Sequence, residues 1–356
     1  MANDFKYDKR FPKRVSHVLN DTKDYDVDLQ FYITENCNLG CPGCYMHANS
    51  KSSQNIIPSS DIDFYLNEFA QVPGFCNTVV FTGGEIFNRS LTTLERNAHN
   101  VLDRGWCLHL KTNGSWVAKP ELRNSILRML DRLNPGRGMM ASKDEIEGFL
   151  SYFPSPVLRL LGRERVIKIL FKFLPSASLL DLAVSVDNKI HPSQSADWFA
   201  DIANIVSSDP DLKEKVNLKT FSFVNSKKFF CEQVLRNPRL KSVAKKVEWH
   251  PEYSCMTYKI NGKKIESFFG DFVDVDKVPE FKKISEFILP SMDGDTKGRL
   301  VYCFHPDRTV GLNSCYLETV GRVPYTDEKG MCKSLVQINK DIQKKMFQDY
   351  KRILTK

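Results

Sequence analysis

A short segment near the N-terminus, Cys37-Asn-Leu-Gly-Cys41-Pro-Gly-Cys44, places three cysteines within eight residues. Thiolates at this C-x3-C-x2-C spacing can bind one soft metal centre, and the glycines and proline between them allow a tight turn. A 4Fe-4S cluster is normally held by four cysteines, so a loop with three leaves one iron open to another ligand. The segment therefore predicts a cluster with a vacant position, which suits catalysis.

Two other interpretations of the same cysteines remain open at this point. A zinc ion could bind the three thiolates with His47 as its fourth ligand. The cysteines could also be buried without any ligand.

Three further groups of small and polar residues come directly after predicted strands. They are Thr82, Gly83, Gly84 and Glu85; then Asn113; then Ser185 and Asp187. The two glycines allow the backbone to approach a ligand closely, and Glu85 supplies a carboxylate for an ammonium group. Each group taken alone is also typical of a turn or a helix cap.

Alternating strands and helices must position these residues. The predicted strands are Val27 to Ile33, Thr78 to Phe81, Trp106 to Lys111, Leu182 to Val186, Val216 to Val224 and Val243 to Trp249. The predicted helices are Asp61 to Gln71, Leu91 to Arg104, Glu121 to Leu133, Ala196 to Val206 and Lys227 to Leu235. Such alternation predicts an α/β fold with parallel strands, and the polar groups at the strand ends favour a partial (β/α)6 TIM-type barrel.

The domain organisation follows from where this alternation stops. We expect an N-terminal extension at 1–25, the barrel at 26–250 with a helical insertion at about 134–178, and a small α+β cap at 251–334. The insertion contains an amphipathic basic helix pattern at Val157 to Leu174, and the cap contains a hairpin turning at Asn261-Gly262. Residues 335–356 predict a helix with one apolar stripe.

The cysteine loop resembles the signature of the radical S-adenosylmethionine (radical SAM) superfamily, because Cys37, Cys41 and Cys44 follow the first strand. The sequence from Thr82 to Glu85 likewise resembles the GGE motif of that superfamily, which binds the amino group of the cofactor's methionine moiety. The resemblance covers roughly residues 26–250. Agreement of the loop with the strand-end groups, in the expected order, favours an iron-sulfur cluster over zinc.

The resemblance extends to later strand ends. Asn113 matches a position that faces the cofactor, and Ser185 and Asp187 match positions that reach its ribose or carboxylate. The residue before the third cysteine is often large and packs near the adenine, but here it is Gly43. Tyr45 is the residue expected to take over that contact.

The resemblance implies that a 4Fe-4S cluster and S-adenosylmethionine together generate a 5'-deoxyadenosyl radical, which abstracts a substrate hydrogen. This implies an oxidoreductase or isomerase that needs a flavodoxin- or ferredoxin-type electron donor. The protein's part is to exclude water and to position the substrate C–H bond.

The last third of the chain resembles the twitch or SPASM extensions of the superfamily, in which later cysteines bind an auxiliary iron-sulfur cluster. The expected ligands are Cys255, Cys303, Cys315 and Cys332. A structural cysteine group or a zinc site are the alternatives for these residues. Some superfamily members use a lone thiol as hydrogen donor, and Cys231 is the candidate for that role.

Composition narrows the remaining function classes. The 356 residues lack an apolar run long enough for a transmembrane segment, and the N-terminus lacks the pattern of a signal peptide, so a cytoplasmic location is expected. The net charge of +8 could serve an acidic partner, but a noncatalytic iron-sulfur or zinc protein that binds nucleic acid would not need the strand-end motifs. The sequence therefore favours an enzyme that modifies a ribosomally made peptide by crosslinking, oxidation or epimerisation, with a small-molecule dehydrogenase or epimerase for sugars or aminoglycosides as the alternative.

Overall fold

The computed structural model describes thirteen stretches of the chain. They are residues 26–41, 44, 48–51, 55–71, 75–139, 176–186, 192, 194–223, 230–240, 247–250, 255–270, 299–312 and 322–354. The positions of Tyr45, His47, Asp187 and Cys315, and most of the predicted insertion with its basic helix, lie outside them.

Strands dominate the architecture. They are β1 (Asp26–Thr34), β2 (Phe75–Gly83), β3 (Cys107–Thr112), β4 (Arg137–Met139), β5 (Ser176–Ser178), β6 (Leu180–Ser185), β7 (Val216–Phe223), β8 (Glu248–His250), β9 (Cys255–Ile260), β10 (Lys263–Gly270), β11 (Arg299–Phe304), β12 (Thr309–Leu312) and β13 (Val323–Pro324). Eleven of them form one sheet in the order β13-β12-β11-β1-β2-β3-β6-β7-β10-β9-β8, while β4 and β5 pair separately.

The centre of this sheet is parallel. The seven strands from β11 to β10 pair in parallel, whereas β12, β13, β9 and β8 add antiparallel pairs at the two sides. The predicted mixed α/β class is therefore confirmed. Within the described stretches the sheet is open, since β13 and β8 form its two edges, and the predicted partial (β/α)6 barrel stays a prediction.

The helices are α1 (Ser59–Gln71), α2 (Leu91–Leu102), α3 (Pro120–Arg132), α4 (Ser195–Ser208), α5 (Pro210–Lys215) and α6 (Leu335–Leu354). The predicted helices at α1 to α4 and at the C-terminal end are confirmed. The described part of the fifth, Phe230–Val234, is a short π-helical turn. In the described stretches no helix combines the length and the apolar character that crossing a bilayer requires.

The sixth parallel strand differs from the prediction. The described end of the predicted segment, β8, pairs antiparallel with β9 at the edge of the sheet. The parallel neighbour of β7 is instead β10, the second arm of the hairpin that turns at Asn261 and Gly262. Packing explains this placement, because Phe268 of that arm stacks on Phe221 of β7 with ring centroids 5.6 Å apart.

Strands of the region expected to form a cap thus belong to the main sheet. Besides β10, the strand β11 lies parallel to β1 with Tyr302 opposite Leu29 and Phe304 opposite Phe31. The rings of Phe31 and Phe304 stack at 5.0 Å. Burial of these aromatic rings against β1 accounts for the extension of the sheet on this side.

The two faces of the parallel sheet differ in chemistry. On β3, Leu108 and Leu110 are fully buried in a core shared with α2, α3 and α4, while His109 and Lys111 point to the opposite face and are half-buried. Because side chains alternate along a strand, Asp181 of β6 and Lys219 of β7, which contact each other, share this second face with His109. We call it the polar face. The carboxyl ends of the parallel strands lie along one edge of the sheet and carry the candidate site.

Candidate functional site

The cysteine loop leaves the sheet directly after β1. Its base is closed by two backbone hydrogen bonds: Cys37 donates to the carbonyl of Asn49 at 3.2 Å, and Asn49 donates to the carbonyl of Glu35 at 3.2 Å. The two ends of the loop therefore lie next to each other beside the end of β1, and Cys37 is held there.

The three loop cysteines have different surroundings. Cys37 is buried, and its sulfur accepts a hydrogen bond from the backbone N–H of Leu39 at 3.5 Å. Cys41 and Cys44 are half-buried and are linked by a backbone hydrogen bond of 3.2 Å from Cys44 to Cys41. Gly40, which directly precedes Cys41, adopts φ +57°, which a residue with a side chain rarely does.

Gly83 at the end of β2 and Gly84 directly after it lie against the backbone where β1 continues into this loop. Gly84 donates to the carbonyl of Thr34 at 2.7 Å. A Cβ atom on Gly83 would lie 2.3 Å from the Thr34 oxygen, and one on Gly84 would lie 2.2 Å from the Asn36 oxygen. Gly83 and Gly84 therefore lie against the end of β1 and the start of the cysteine loop, and their predicted approach to a ligand stays a prediction.

Glu85 joins the ends of β2 and β3. Its carboxylate is buried and accepts hydrogen bonds from the hydroxyl of Thr112 (2.8 and 2.9 Å), the backbone N–H of Asn113 (2.8 Å) and the backbone N–H of Phe87 (3.1 Å). Its own N–H donates to the Asn36 carbonyl at 2.8 Å. These bonds give Glu85 a positioning role; the predicted contact with an ammonium group stays a prediction.

Asn113 connects the end of β3 to the cysteine loop. Its Oδ1 accepts from the backbone N–H of Ser115 at 2.9 Å, and its Nδ2 lies 3.7 Å from the sulfur of Cys37 and 3.3 Å from Oδ1 of Asn38. Asn38 in turn donates to the hydroxyl of Ser115 at 2.8 Å. The structure thus brings together Cys37, Glu85 and Asn113, which are far apart in sequence.

The chemistry of this donor set fits a soft metal centre. Burial raises the pKa of Cys37, and the nearby carboxylate of Glu85 adds to the shift, so ligation of iron would release a proton from this thiol. Cysteine thiolates are ligands both of zinc and of the irons of a 4Fe-4S cluster.

The remaining predicted cofactor contacts are placed only in part. Thr82 is buried near the end of β2, and Ser185 is half-buried at the end of β6 opposite Phe221. Asp187 and Tyr45 lie outside the described residues, so their roles stay predictions.

The cysteines of the last third are not brought together in the described stretches. Cys303 lies on β11 and Cys255 on β9, with six strands between them in the sheet. Cys332 lies beside Asp61 and Tyr65, where burial raises its pKa to about 11 and the Asp61 carboxylate adds to the shift. Cys315 lies outside the described residues, so the ligand set of Cys255, Cys303, Cys315 and Cys332 stays a prediction.

Cys231, the candidate hydrogen donor, lies in the π-helical turn at Phe230–Val234. It is half-buried and packs against the hydrophobic core. Its catalytic role stays a prediction.

A second cluster, on the polar face, was not predicted. Ligand atoms of Cys107, His109 and Asp181 all lie within 4.8 Å of one another. The Oδ2 of Asp181 is 2.8 Å from Nε2 of His109 and 2.7 Å from Nζ of Lys219, and its Oδ1 accepts from Asn217 at 2.9 Å. Because an ammonium group already neutralises the carboxylate, this cluster is an ion-pair network across β3, β6 and β7.

Polar residues inside the predicted strands could have indicated this network. Asp181 stands between Leu180 and Leu182, and Lys219 stands two residues after Asn217. Burial alone would raise the pKa of Asp181, but His109 and Lys219 outweigh it and lower the pKa to about 2.

Towards the site, the polar face carries aromatic and cationic groups. The ammonium of Lys111 lies 5.0 Å from the ring centre of Phe221, and that of Lys219 lies 5.9 Å from the ring centre of Phe268. Cations over ring faces at these distances are attracted to them. Lys111, Phe221 and Phe268 are half-buried and so keep contact with solvent.

Comparison with known proteins gives distant similarities only. No known protein-family profile and no curated protein matches the chain. Among solved structures, Streptococcus suis SuiB bound to precursor peptide SuiA is similar at 12% identity and a TM-score of 0.40, covering 88% of this chain and 64% of that one. SuiB bound to S-adenosylmethionine gives 10% identity and 0.35, covering 81% and 60%. Native anSMEcpe with bound AdoMet and Cp18Cys peptide gives 14% and 0.29, covering 58% and 48%. The chain spans about three fifths of the length of the SuiB chains it matches.

Proposed function

We propose that the protein is a radical SAM enzyme whose residues Cys37, Cys41 and Cys44 hold a 4Fe-4S cluster. S-adenosylmethionine would bind at the open iron, next to the ends of β2, β3 and β6. The observation that carries the proposal is the convergence of Cys37, Glu85 and Asn113 at one edge of the parallel sheet.

The shared hydrogen bonds argue against a chance occurrence of the separate motifs. If each motif only formed a local turn at the end of its strand, the polar groups of different strand ends would not bond to one another. Instead Asn113 is bonded both to the Glu85 carboxylate through its backbone and to the Cys37 sulfur through its side chain. A noncatalytic zinc protein would not need this coupling between the cysteine loop and two later strands.

When bound, the cluster and S-adenosylmethionine would supply a 5'-deoxyadenosyl radical that takes a hydrogen atom from the substrate. The chain's own residues do the rest. Gly83 and Gly84 let the cysteine loop lie directly on the end of β2, and Glu85 fixes the end of β3 against the same loop. Buried residues around Cys37 exclude water, which protects reactive species from side reactions.

The substrate in this proposal is a ribosomally made peptide, and a sugar or aminoglycoside is the alternative. Phe221 and Phe268 offer apolar surface on the polar face, and Lys111 offers a cation beside them. A substrate with both apolar and anionic groups suits this surface. The electron would come from a flavodoxin- or ferredoxin-type donor.

Anaerobic reconstitution of the full chain with iron and sulfide, followed by dithionite and S-adenosylmethionine, tests the proposal. We expect 5'-deoxyadenosine and methionine in chromatography with mass detection. The C37A/C41A/C44A variant should form neither, while the control C107A, a cysteine outside the loop, should keep its iron. An iron-loaded wild-type protein that yields no 5'-deoxyadenosine would refute the radical SAM assignment.

The same triple variant tests the auxiliary cluster proposed for the last third of the chain. Iron that remains bound after loss of the loop cysteines would belong to such a second cluster. Complete loss of iron would leave the loop as the iron site of this protein and would remove the auxiliary cluster.

A further inference from the structure

The amide group of Asn113 has one orientation that its surroundings permit. Its Oδ1 accepts from the backbone N–H of Ser115 at 2.9 Å, and a backbone N–H can only donate. The NH2 group must therefore be the end that faces the Cys37 sulfur at 3.7 Å. Amide orientations are otherwise ambiguous, but this backbone contact decides it.

The sulfur of Cys37 is thus reached by backbone and by side-chain N–H donors. The backbone N–H of Leu39 lies at 3.5 Å, with that of Gly40 beside it, and the side-chain donor is Asn113. Cys37 and Asn113 are 7% and 5% exposed, so water competes little for these bonds. A hydrogen bond in such surroundings is electrostatically stronger than one at the surface.

The rest of the site holds Asn113 in this position. Glu85 accepts the backbone N–H of Asn113 at 2.8 Å, and Asn38 accepts from its side chain at 3.3 Å. The amide is therefore preorganised before any cofactor arrives. This differs from the contact with the cofactor that the sequence resemblance implies for the same residue.

We propose that Asn113 is a positioning residue that raises the reduction potential of the cluster bound through Cys37, and this rests on the proposed function above. Donors to a ligating sulfur stabilise negative charge on it, and the reduced cluster carries one more electron than the oxidised one. The reduced form consequently gains more from the bond. Loss of the Asn113 amide makes the cluster harder to reduce.

A redox titration of the reconstituted full chain, followed by electron paramagnetic resonance without S-adenosylmethionine, tests this role. Asn113→Leu removes the donor at similar size, and Asn113→Asp removes it and adds a carboxylate near the sulfur. We expect the potential to fall in the order wild type, N113L, N113D. The control Asn67→Leu makes the same change on the exposed side of α1, where Asn67 is bonded to Arg104, so its potential should equal that of the wild type.

The iron content of each variant and its affinity for S-adenosylmethionine are measured as well, because they distinguish an effect on the potential from loss of the cluster or of cofactor binding. Unchanged potentials in iron-loaded N113L and N113D overturn the inference, as does weakened cofactor binding with an unchanged potential. If N113L fails to hold iron, the isosteric N113D decides alone. A wild-type protein that binds no cluster refutes the proposed function together with this inference, whereas a wild-type cluster with unshifted variants refutes the inference only.

Discussion

Gly84 is the residue on which the geometry of the site depends most directly. Its Cα lies so close to the cysteine loop that a Cβ atom would be 2.2 Å from the Asn36 oxygen and 2.7 Å from its carbonyl carbon. Both are backbone atoms, so no side chain can turn away to make room. Any substitution must move either the loop or the end of β2.

We therefore expect Gly84→Ala to destabilise the protein by about 1–3 kcal/mol, the usual cost of overpacking. Because the loop carries Cys37, the variant should also bind less iron on reconstitution. Urea denaturation and iron analysis measure the two effects.

Gly311→Ala is the matched control for this variant. A Cβ atom on Gly311 meets nothing within 4 Å, so this substitution should leave stability and iron content near the wild-type values. Equal behaviour of the two variants would contradict the proposed role of close approach at Gly84.

The sequence predicted where the site residues lie along the chain, but not which groups they contact. The positions of Cys37, Glu85 and Asn113 at strand ends were predicted, because period-two patterns locate strands and therefore the residues directly after them. Their contacts were not. The bonds that the Glu85 carboxylate accepts from Thr112, Asn113 and Phe87 were not predicted, and its expected contact with an ammonium group stays a prediction. Such contacts depend on how two loops fold towards each other, which spacing along one chain does not encode.

At the scale of elements, the polar face shows how neighbouring strands share charged groups. Asp181 is fully buried on β6 and receives contacts from His109 on β3 and from Lys219 and Asn217 on β7. A buried carboxylate is tolerated only when it is paired in this way. The network therefore ties three parallel strands together below the candidate site.

This network predicts a pH dependence of stability. The folded pKa of Asp181 is about 2, below the value of about 3.9 of an unfolded aspartate. Its contribution of about 2–3 kcal/mol is present above the unfolded pKa and is lost as the pH falls through the folded pKa. Urea denaturation between pH 5 and pH 2.5 should show this loss in the wild type.

Variants identify the residue responsible. Asp181→Asn should be less stable at pH 7, because Lys219 is left buried beside a neutral amide, and it should lack this part of the acid dependence. The control Asp131→Asn breaks an exposed pair with Lys215 and should change stability by no more than about 1 kcal/mol. The same acid dependence in D181N and wild type would contradict the assignment.

The order of elements was predictable only while strands and helices alternated. The strands β1, β2, β3, β6 and β7 were located within a few residues, and so was the hairpin of β9 and β10. Its assignment to a cap was not supported, because β10 pairs with β7. A hairpin pattern fixes how its two arms pair with each other, but it contains no information about the strand beside them.

At the scale of the whole molecule, the C-terminal segment is bound to the beginning of the sheet. Tyr65 of α1 donates to the backbone carbonyls of Tyr325 (2.8 Å) and Lys333 (3.1 Å), and Tyr325 donates to Asp61 at 3.2 Å. These three bonds join residues that are 260 to 268 positions apart in sequence. Their presence explains why β11 to β13 extend the sheet beside β1.

His305 lies at this junction between the two ends of the described chain. It follows β11, is 3% exposed, and stacks on Tyr32 of β1 with ring centroids 4.5 Å apart. Burial lowers the pKa of His305 to about 3, and the charge of Arg322 adds to the shift while Asp307 opposes it. The folded protein therefore holds this imidazole neutral well below the pH at which the unfolded chain protonates it.

This difference makes the junction sensitive to mild acid. An unfolded histidine takes up a proton near pH 6.5. The contribution of His305 to the free energy of unfolding is therefore fully present above that pH and is lost between pH 6.5 and about pH 3. By pH 5 the wild type should have lost about 2 kcal/mol through this group. His305→Phe keeps an aromatic ring on Tyr32 and cannot titrate, so its free energy of unfolding should change less over the same range. Urea denaturation at pH 7, 6 and 5 makes the comparison, and parallel curves for the two proteins would place the acid sensitivity elsewhere in the molecule.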